Sequence, residues 1–256
     1  MSGESHSMVL YDARDGIARI TLNRPDKRNA LNNELIAGLK DALRRANNDS
    51  QVRVVILSGS GSDFCSGADL AALQKISSST VADNLKDAQS LMELFLLIRT
   101  INPPVVAAVR GRALAGGCGL ATACDIVLAA RSSRFGYPEV KIGFVPAMVM
   151  AILRRNVSEK IAFEMMTTAR EISAEEAAGV GLINRVLEDN PFEAEVTAFA
   201  QTFLKASAAA VALTKKLLYR TDAMSFEDAL HFGVDANVIA RMSRDCQDGI
   251  ERFLKK

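Results

Sequence analysis

Val105 to Val127 reads VVAAVRGRALAGGCGLATACDIV, an apolar run broken at a turn and followed by a glycine-rich helix start. Behind Pro103-Pro104, the continuous apolar residues Val105 to Val109 suit a buried strand, and Gly111 breaks it. Ala115-Gly116-Gly117-Cys118-Gly119 then opens a segment, Leu120 to Cys124, whose alanine and leucine favour helix, so the glycines fall near a helix N-terminus. The first N–H groups of a helix have no intrahelical partner, and glycine has no β-carbon to keep a ligand oxygen away from them. The helix dipole favours negative charge at the same place, which suits an oxyanion hole. The same glycines also fit a plain packing role that only brings helix and strand together. A nucleotide loop fits less well. The chain has no GxxxxGK(S/T), and Gly59-Ser60-Gly61 meets Phe64 where a dinucleotide fingerprint needs its third glycine.

Outward from this stretch, 256 residues with 49% hydrophobic and 24% charged content are enough for one large α/β domain or two small ones. A formal charge of +1 gives no global reason to expect nucleic acid or an anionic membrane as partner, so a small soluble molecule is expected. Cys65, Cys118, Cys124 and Cys246 form no CxxC pair, which points to reduced, mostly buried thiols and away from a zinc site or disulfide framework. No basic stretch leads into an apolar one at the N-terminus, and no apolar run reaches transmembrane length, so a cytoplasmic protein is expected.

In chain order, Asp15-Gly16 between Met8–Tyr11 and Ile17–Leu22 predicts a hairpin. The loop Asn23 to Arg28 carries three cations and leads into a helix that Asn32 can cap, with Leu35, Leu39 and Leu43 on one face. Val52 to Leu57 predicts a strand, followed by Phe64-Cys65-Ser66-Gly67-Ala68-Asp69-Leu70, a second glycine turn able to present N–H groups. The serine-rich residues 76 to 84 are expected to form a lid. Thr80 with Asp83 reads as a capping box for a helix to about Arg99, whose Leu85, Ala88, Met92 and Phe95 predict a core-facing stripe. Beyond Ser158 the signals are mainly helical, with Ser173/Glu176 and Ser225/Asp228 as capping boxes and Pro191 at a first helical position. The expected division is a core over 1–195 and a helical layer over 196–256 that covers the sheet or mediates assembly.

Neither HExxH nor GxSxG occurs, and of the two histidines His6 lies in the N-terminal tail and His231 on a predicted helix surface. Neither a zinc protease nor an α/β-hydrolase is supported. Glu139 is the notable acid, because Pro138 holds Tyr137 extended and sets Glu139 at the start of the next element. By itself it fits both a carboxylate that complements a helix N-terminus and a catalytic base.

Four stretches in order, RNAL (28–31), FCSGADL (64–70), ALAGGCGLATACDIVLA (113–129) and FGYPEVKIGFVP (135–146), resemble the crotonase, or enoyl-CoA hydratase/isomerase, family over nearly the whole chain. The resemblance implies an α/β fold: a spiral of ββα units with two roughly perpendicular sheets, a C-terminal helical layer, and a trimer or dimer of trimers. It implies an acyl-CoA substrate, with coenzyme A entering only as part of that substrate and no separate cofactor or metal. By motif position, the N–H groups of Ala68 and Gly116 would form the oxyanion hole and Glu139 would be the acid/base. Coenzyme A would lie along Ala30 and Ser66, Ala68, Asp69, Leu70 and Ala71, with Lys27 and Arg28 at its phosphates.

Family hydratases generally use a second glutamate, and its position here is Gly119. The implied reaction is hydration of a 2-enoyl-CoA by Glu139 alone. The alternatives are a 3,2-enoyl-CoA isomerase using that same acid and a catalytically silent acyl-CoA-binding trimer. A dehalogenase is disfavoured, because no acid lies between Val140 and Arg155 to act as nucleophile. The chain also ends at Phe253-Leu254-Lys255-Lys256 without the family's common RxPxF-like tail.

Overall fold

The computed structural model describes residues 7–69, 74 and 78–255. Asp15 (φ 51°) and Gly16 (φ 79°) take the paired left-handed geometry of a two-residue hairpin turn and join β1 (Val9–Arg14) to β2 (Ile17–Leu22). Asn32 caps α1 (Asn33–Asn48) by accepting from Leu35 N–H at 2.8 Å, and Leu35, Leu39 and Leu43 are fully buried. From there the chain repeats one unit. A strand enters a large sheet, a short extended piece enters a small sheet, and a helix returns across them.

The large-sheet strands are β3 (Val54–Gly59), β4 (Val105–Val109), β6 (Ile126–Ala130) and, later, β9 (Arg185–Leu187). The sheet order is β1-β2-β3-β4-β6-β9, parallel throughout except for the β1-β2 hairpin. The small sheet contains β5 (Arg112–Leu114), β7 (Arg134–Gly136) and β8 (Glu171–Ser173), in that order. Single bridges of Leu31 with Ala68 and of Cys65 with Ala113 extend its pairing toward the earlier turns. The helices are α2 (Val81–Thr100), α3 (Gly116–Ala123), α4 (Ala147–Leu153), α5 (Glu159–Thr168), α6 (Ala174–Gly179) and α7 (Phe192–Gln201), followed by α8 (Ala208–Thr221), α9 (Phe226–Met242) and α10 (Arg244–Leu254). The result is an α/β spiral with two sheets and a helical C-terminal part, the architecture that the motif resemblance implies.

Alternation along the strands divides the interior in two. Val55 and Leu57 of β3, with Val105 and Ala107 of β4, join the main core beneath α1 and α2. Val54 and Ile56, with Val106 and Ala108, face Phe192, Val196 and Ala200 of α7. The expected 195/196 division falls inside α7, the helix that covers this second face. Among the described residues, no single helix is long and apolar enough to cross a membrane.

The capping boxes at Thr80, Ser173 and Ser225 form as the sequence predicts, at least on the side-chain-to-N–H side. The α2 stripe requires correction, since Leu85 and Met92 are 56% and 43% exposed and the buried positions are Leu94, Phe95 and Ile98. The helix is tied to α1 in its second half, where Lys40 donates to Ser90 Oγ and Glu93 Oε2, both at 3.0 Å. Positions 81–87, its first two turns, are exposed. The expected lid over 76–84 includes Ile76 and Ser77, which lie outside the described residues, and its last four residues are the first turn of α2.

A buried ionic cluster anchors α8. Lys215 Nζ donates to Ile98 O at 2.7 Å and Pro103 O at 3.1 Å, and pairs with Asp125 Oδ2 at 2.7 Å. Asp125 also accepts from Val105 N–H at 2.6 Å and from the Tyr219 hydroxyl at 2.8 Å. Burial lowers the Lys215 pKa, opposed by Asp125. Breaking one side of such a pair leaves the other charge buried, so Asp125→Ala is expected to cost about 3–5 kcal/mol in denaturant unfolding. An unchanged midpoint would refute the anchor.

Candidate active site

The small sheet is what assembles the site. Cys65 N–H donates to Arg112 O at 3.1 Å and Leu114 N–H to Cys65 O at 2.9 Å, which lays the 65–68 turn along β5. On the other side of β5, Leu114 pairs with Gly136, and Ala115 N–H donates to Gly136 O at 2.8 Å. The Ala68 turn, the Gly116 helix start and the chain leading to Glu139 are thereby adjacent.

Ala115 (φ 51°) turns the chain into α3 and offers no side-chain cap. The first intrahelical bond runs from Gly119 N–H to Ala115 O at 3.0 Å, so the N–H groups from Gly116 to Cys118 precede the helical ladder. Opposite them, Leu31 N–H donates to Gly67 O at 2.7 Å and Leu31 O accepts from Asp69 N–H at 3.0 Å. This pairing turns the intervening Ala68 N–H away from Leu31, and it has no acceptor among the described residues.

Two glycines permit the approach of these backbones. A β-carbon on Gly67 (φ 96°) would lie 2.7 Å from Ala115 Cβ and 3.5 Å from Gly116 N, while one on Gly117 would lie 2.2 Å from Cys65 O. The packing reading and the oxyanion reading of these glycines are therefore compatible: close packing is what brings the Ala68 turn beside the Gly116 N–H.

Glu139 sits in the short 3₁₀ turn Pro138–Ile142, and its carbonyl accepts from Phe144 N–H at 3.1 Å. Its carboxyl is half-buried, and Oε2 is buried with no hydrogen-bond partner among the described residues. Burial pushes the Glu139 pKa above the ordinary carboxylate value, against the pull of its own backbone N–H. Beneath the turn, Tyr137 is fully buried, with its hydroxyl 3.5 Å from Thr122 Oγ1 of α3. Burial also raises the neighbouring Cys118 thiol to about 12, which keeps it protonated and unreactive. Gly119 is buried beneath Val149 and Phe95.

Lys27 and Arg28 are exposed at one edge of this region and take part in no ion pair among the described residues. The Arg28 carbonyl accepts from Ser66 N–H at 3.0 Å, which ties the cationic loop to the Ala68 turn. Ser66 is half-buried and Ala30 is buried. The Asp69 carboxylate is 8% exposed as a residue and bonds Arg24 Nη2 at 2.8 Å, while Arg24 also donates to Ala30 O. Asp69 thus holds the loop in place and is engaged by a cation. Leu70 and Ala71 lie outside the described residues.

Sequence reasoning missed Asn29. It is fully buried at φ 55°, donates to Ser60 O and Asp63 O at 2.9 and 2.8 Å, and accepts from Arg24 N–H at 2.9 Å. An asparagine at the end of a turn is the available signal, since it tolerates left-handed geometry better than most residues.

The small sheet thus brings the Ala68 turn, the Gly116 helix start and the segment leading to the desolvated Glu139 together. A sequence profile described as enoyl-CoA hydratase/isomerase matches residues 12–256, and the chain belongs to this family, the crotonases. A Thermus thermophilus protein provisionally named an enoyl-CoA hydratase is 40% identical over 94% of this chain and 95% of its own length. The Syntrophomonas wolfei crotonyl-CoA hydratase is 33% identical over 98% of this chain and 96% of its own. The crystal structure of a Mycobacterium smegmatis enoyl-CoA hydratase superposes with TM-score 0.93 at 32% identity, covering 98% of this chain and 97% of that one.

Because the turn depends on Gly67, Gly67→Ala is expected to lower stability by about 1–3 kcal/mol through overpacking and left-handed strain, and to lower turnover in protein that remains folded. Thermal unfolding with rates on the folded fraction checks this. A variant with wild-type stability and rate would show that the turn has slack.

Proposed function

We propose that the protein hydrates a 2-enoyl-CoA thioester through an enolate held by Ala68 and Gly116, with Glu139 as the acid/base. The observation that carries this reading is the unpartnered, buried Oε2 of Glu139, just beyond a strand paired with the segment that leads into Gly116. Relatives named for hydration of crotonyl-CoA and other enoyl-CoA thioesters support the same reaction.

In this mechanism Glu139 as carboxylate takes a proton from water as the water oxygen bonds to the β-carbon. The double-bond electrons move toward the thioester oxygen. The N–H groups of Ala68 and Gly116 stabilise the resulting enolate, at about 3 kcal/mol for each well-aimed donor by analogy with oxyanion-hole deletions. Glu139 then returns the proton to the α-carbon, restoring the carboxylate and the thioester. Exposed Lys27 and Arg28 would meet the phosphates of coenzyme A, and the Ser66 turn would follow its pantetheine. The cytoplasm is the compartment we assign to this reaction.

The absence of a carboxylate at Gly119 favours a second reading, a 3,2-enoyl-CoA isomerase in which Glu139 moves a proton between carbons of the same enolate. A silent acyl-CoA-binding role leaves the desolvated Glu139 without a purpose. Glu139→Gln keeps the size but removes the proton acceptor, so turnover on 2-enoyl- or 3-enoyl-CoA should fall about 10²–10⁴-fold with acyl-CoA binding retained. The carboxylate form is needed, so in the wild type kcat/KM should rise with pH through a limb above the ordinary carboxylate value. Full turnover by folded Glu139→Gln would defeat the mechanism, and the products from the two substrates separate hydratase from isomerase.

We also propose assembly as a homotrimer or homohexamer through the C-terminal helices. Phe226, Leu230, Val234, Val238 and Met242 recur every fourth residue along α9 and are 55–81% exposed. So large an apolar stripe on a lone chain suits an interface. Sedimentation should show three or six chains, and a stable monomer at micromolar concentration would contradict it.

A further inference from the structure

We propose that Val149 occupies the space into which a side chain at position 119 would project, so that α4 holds this site to a single carboxylate by packing. The inference deepens the reading of the site as an enolate-forming acyl-CoA site and rests on it for its functional half. Gly119 follows Gly116 by three residues, so the two share a face of α3. Its φ is not left-handed, so the backbone itself would accept a side chain there. The obstacle is α4. A β-carbon on Gly119 would lie 2.3 Å from Val149 Cγ1, 3.1 Å from Val149 Cβ and 3.5 Å from the Phe95 ring.

Val149 cannot easily yield. It is 4% exposed, and a β-branched side chain within a helix is largely held to one rotamer. Phe95, 6% exposed on α2, closes the same spot from another side. The surroundings of Gly119 are therefore apolar where a two-acid site would carry its second carboxylate. A water beside them gains no hydrogen bond from either side chain, so the positioning of water falls to Glu139. α4 also lies a few residues beyond the Glu139 turn, whose carbonyl bonds Phe144 N–H, so one short segment carries both the acid and the residue that excludes a second one.

The pairing predicts a favourable coupling energy in a double-mutant cycle. Gly119→Ala should lower Tm by overfilling the contact, and Val149→Ala should lower it by leaving a cavity. The double variant should be more stable than the sum of the two losses predicts, because the new methyl enters the vacated space. Additive losses, or a Gly119→Ala variant as stable as wild type, would overturn the packing claim.

The functional half uses Gly119→Glu with Val149→Ala. Gly119→Glu alone should be poorly folded. The double variant should regain Tm and raise the ratio of water addition to double-bond migration on matched 2-enoyl- and 3-enoyl-CoA substrates, by up to about 10²-fold. An unchanged ratio in a folded, acyl-CoA-binding double variant would overturn the claim that position 119 faces the reacting carbons. Wild-type protein inactive on both substrates, with the stability coupling present, would refute the reading of the site and leave the packing pair intact.

Discussion

The structure depends on one close contact between backbones, that of the Cys65–Gly67 turn with the N-terminus of α3. A methyl group on either Gly67 or Gly117 would meet Ala115 Cβ or Cys65 O below 3 Å, so only glycine lets the two segments touch. Hydrogen bonds from Leu114 to Cys65 and from Ala115 to Gly136 then hold the three segments of the candidate site in one small sheet. The large sheet supplies the stiffness behind them, through fully buried β4 and a core on each face. The site is therefore backbone chemistry first. The donors proposed for it are backbone N–H groups, which side-chain truncation leaves in place and only proline removes, and the glycines act by allowing the two segments to converge.

Beside these backbone donors stands a single costly side chain. A buried carboxylate oxygen without a partner disfavours the charged form, which is why the Glu139 pKa is raised. Linkage gives the sign. With the folded pKa above the unfolded one, the stabilisation belongs to the protonated acid and is lost as pH rises through the folded value. The same burial that disfavours the charged form makes the carboxylate a stronger proton acceptor than an exposed one. Asp69 shows the contrast, since this more deeply buried acid is matched by Arg24, which ties its turn to the Arg24 loop.

Much of this was legible in the sequence because the signals were local. Asp15-Gly16, the Asn32 cap and the Thr80/Asp83 capping box each act within four residues and form as read, and Ser173 and Ser225 cap their helices through the side-chain half of the box. The glycine turns and the Pro138-Glu139 step were legible as motifs, but their adjacency was not, because it is set by pairing across the small sheet. The α2 stripe was misread for a related reason. Its spacing is helical, yet the buried positions all lie beyond Ser90, and spacing alone carries no information on where the neighbouring helix lies. Lys215 and Val149 were missed because their significance lies in contacts with Asp125 and Gly119, 90 and 30 residues away.

The central claim is that Ala68 and Gly116 stabilise a thioester enolate whose proton Glu139 carries. The most direct measurement is deuterium uptake at the α-carbon of a saturated acyl-CoA in D₂O, which needs neither hydration nor isomerisation to proceed. Wild-type protein should introduce deuterium at that carbon alone, and Glu139→Gln should bind the thioester without exchanging it. Absence of exchange in bound wild type, or undiminished exchange in the Glu139→Gln variant, would contradict the account.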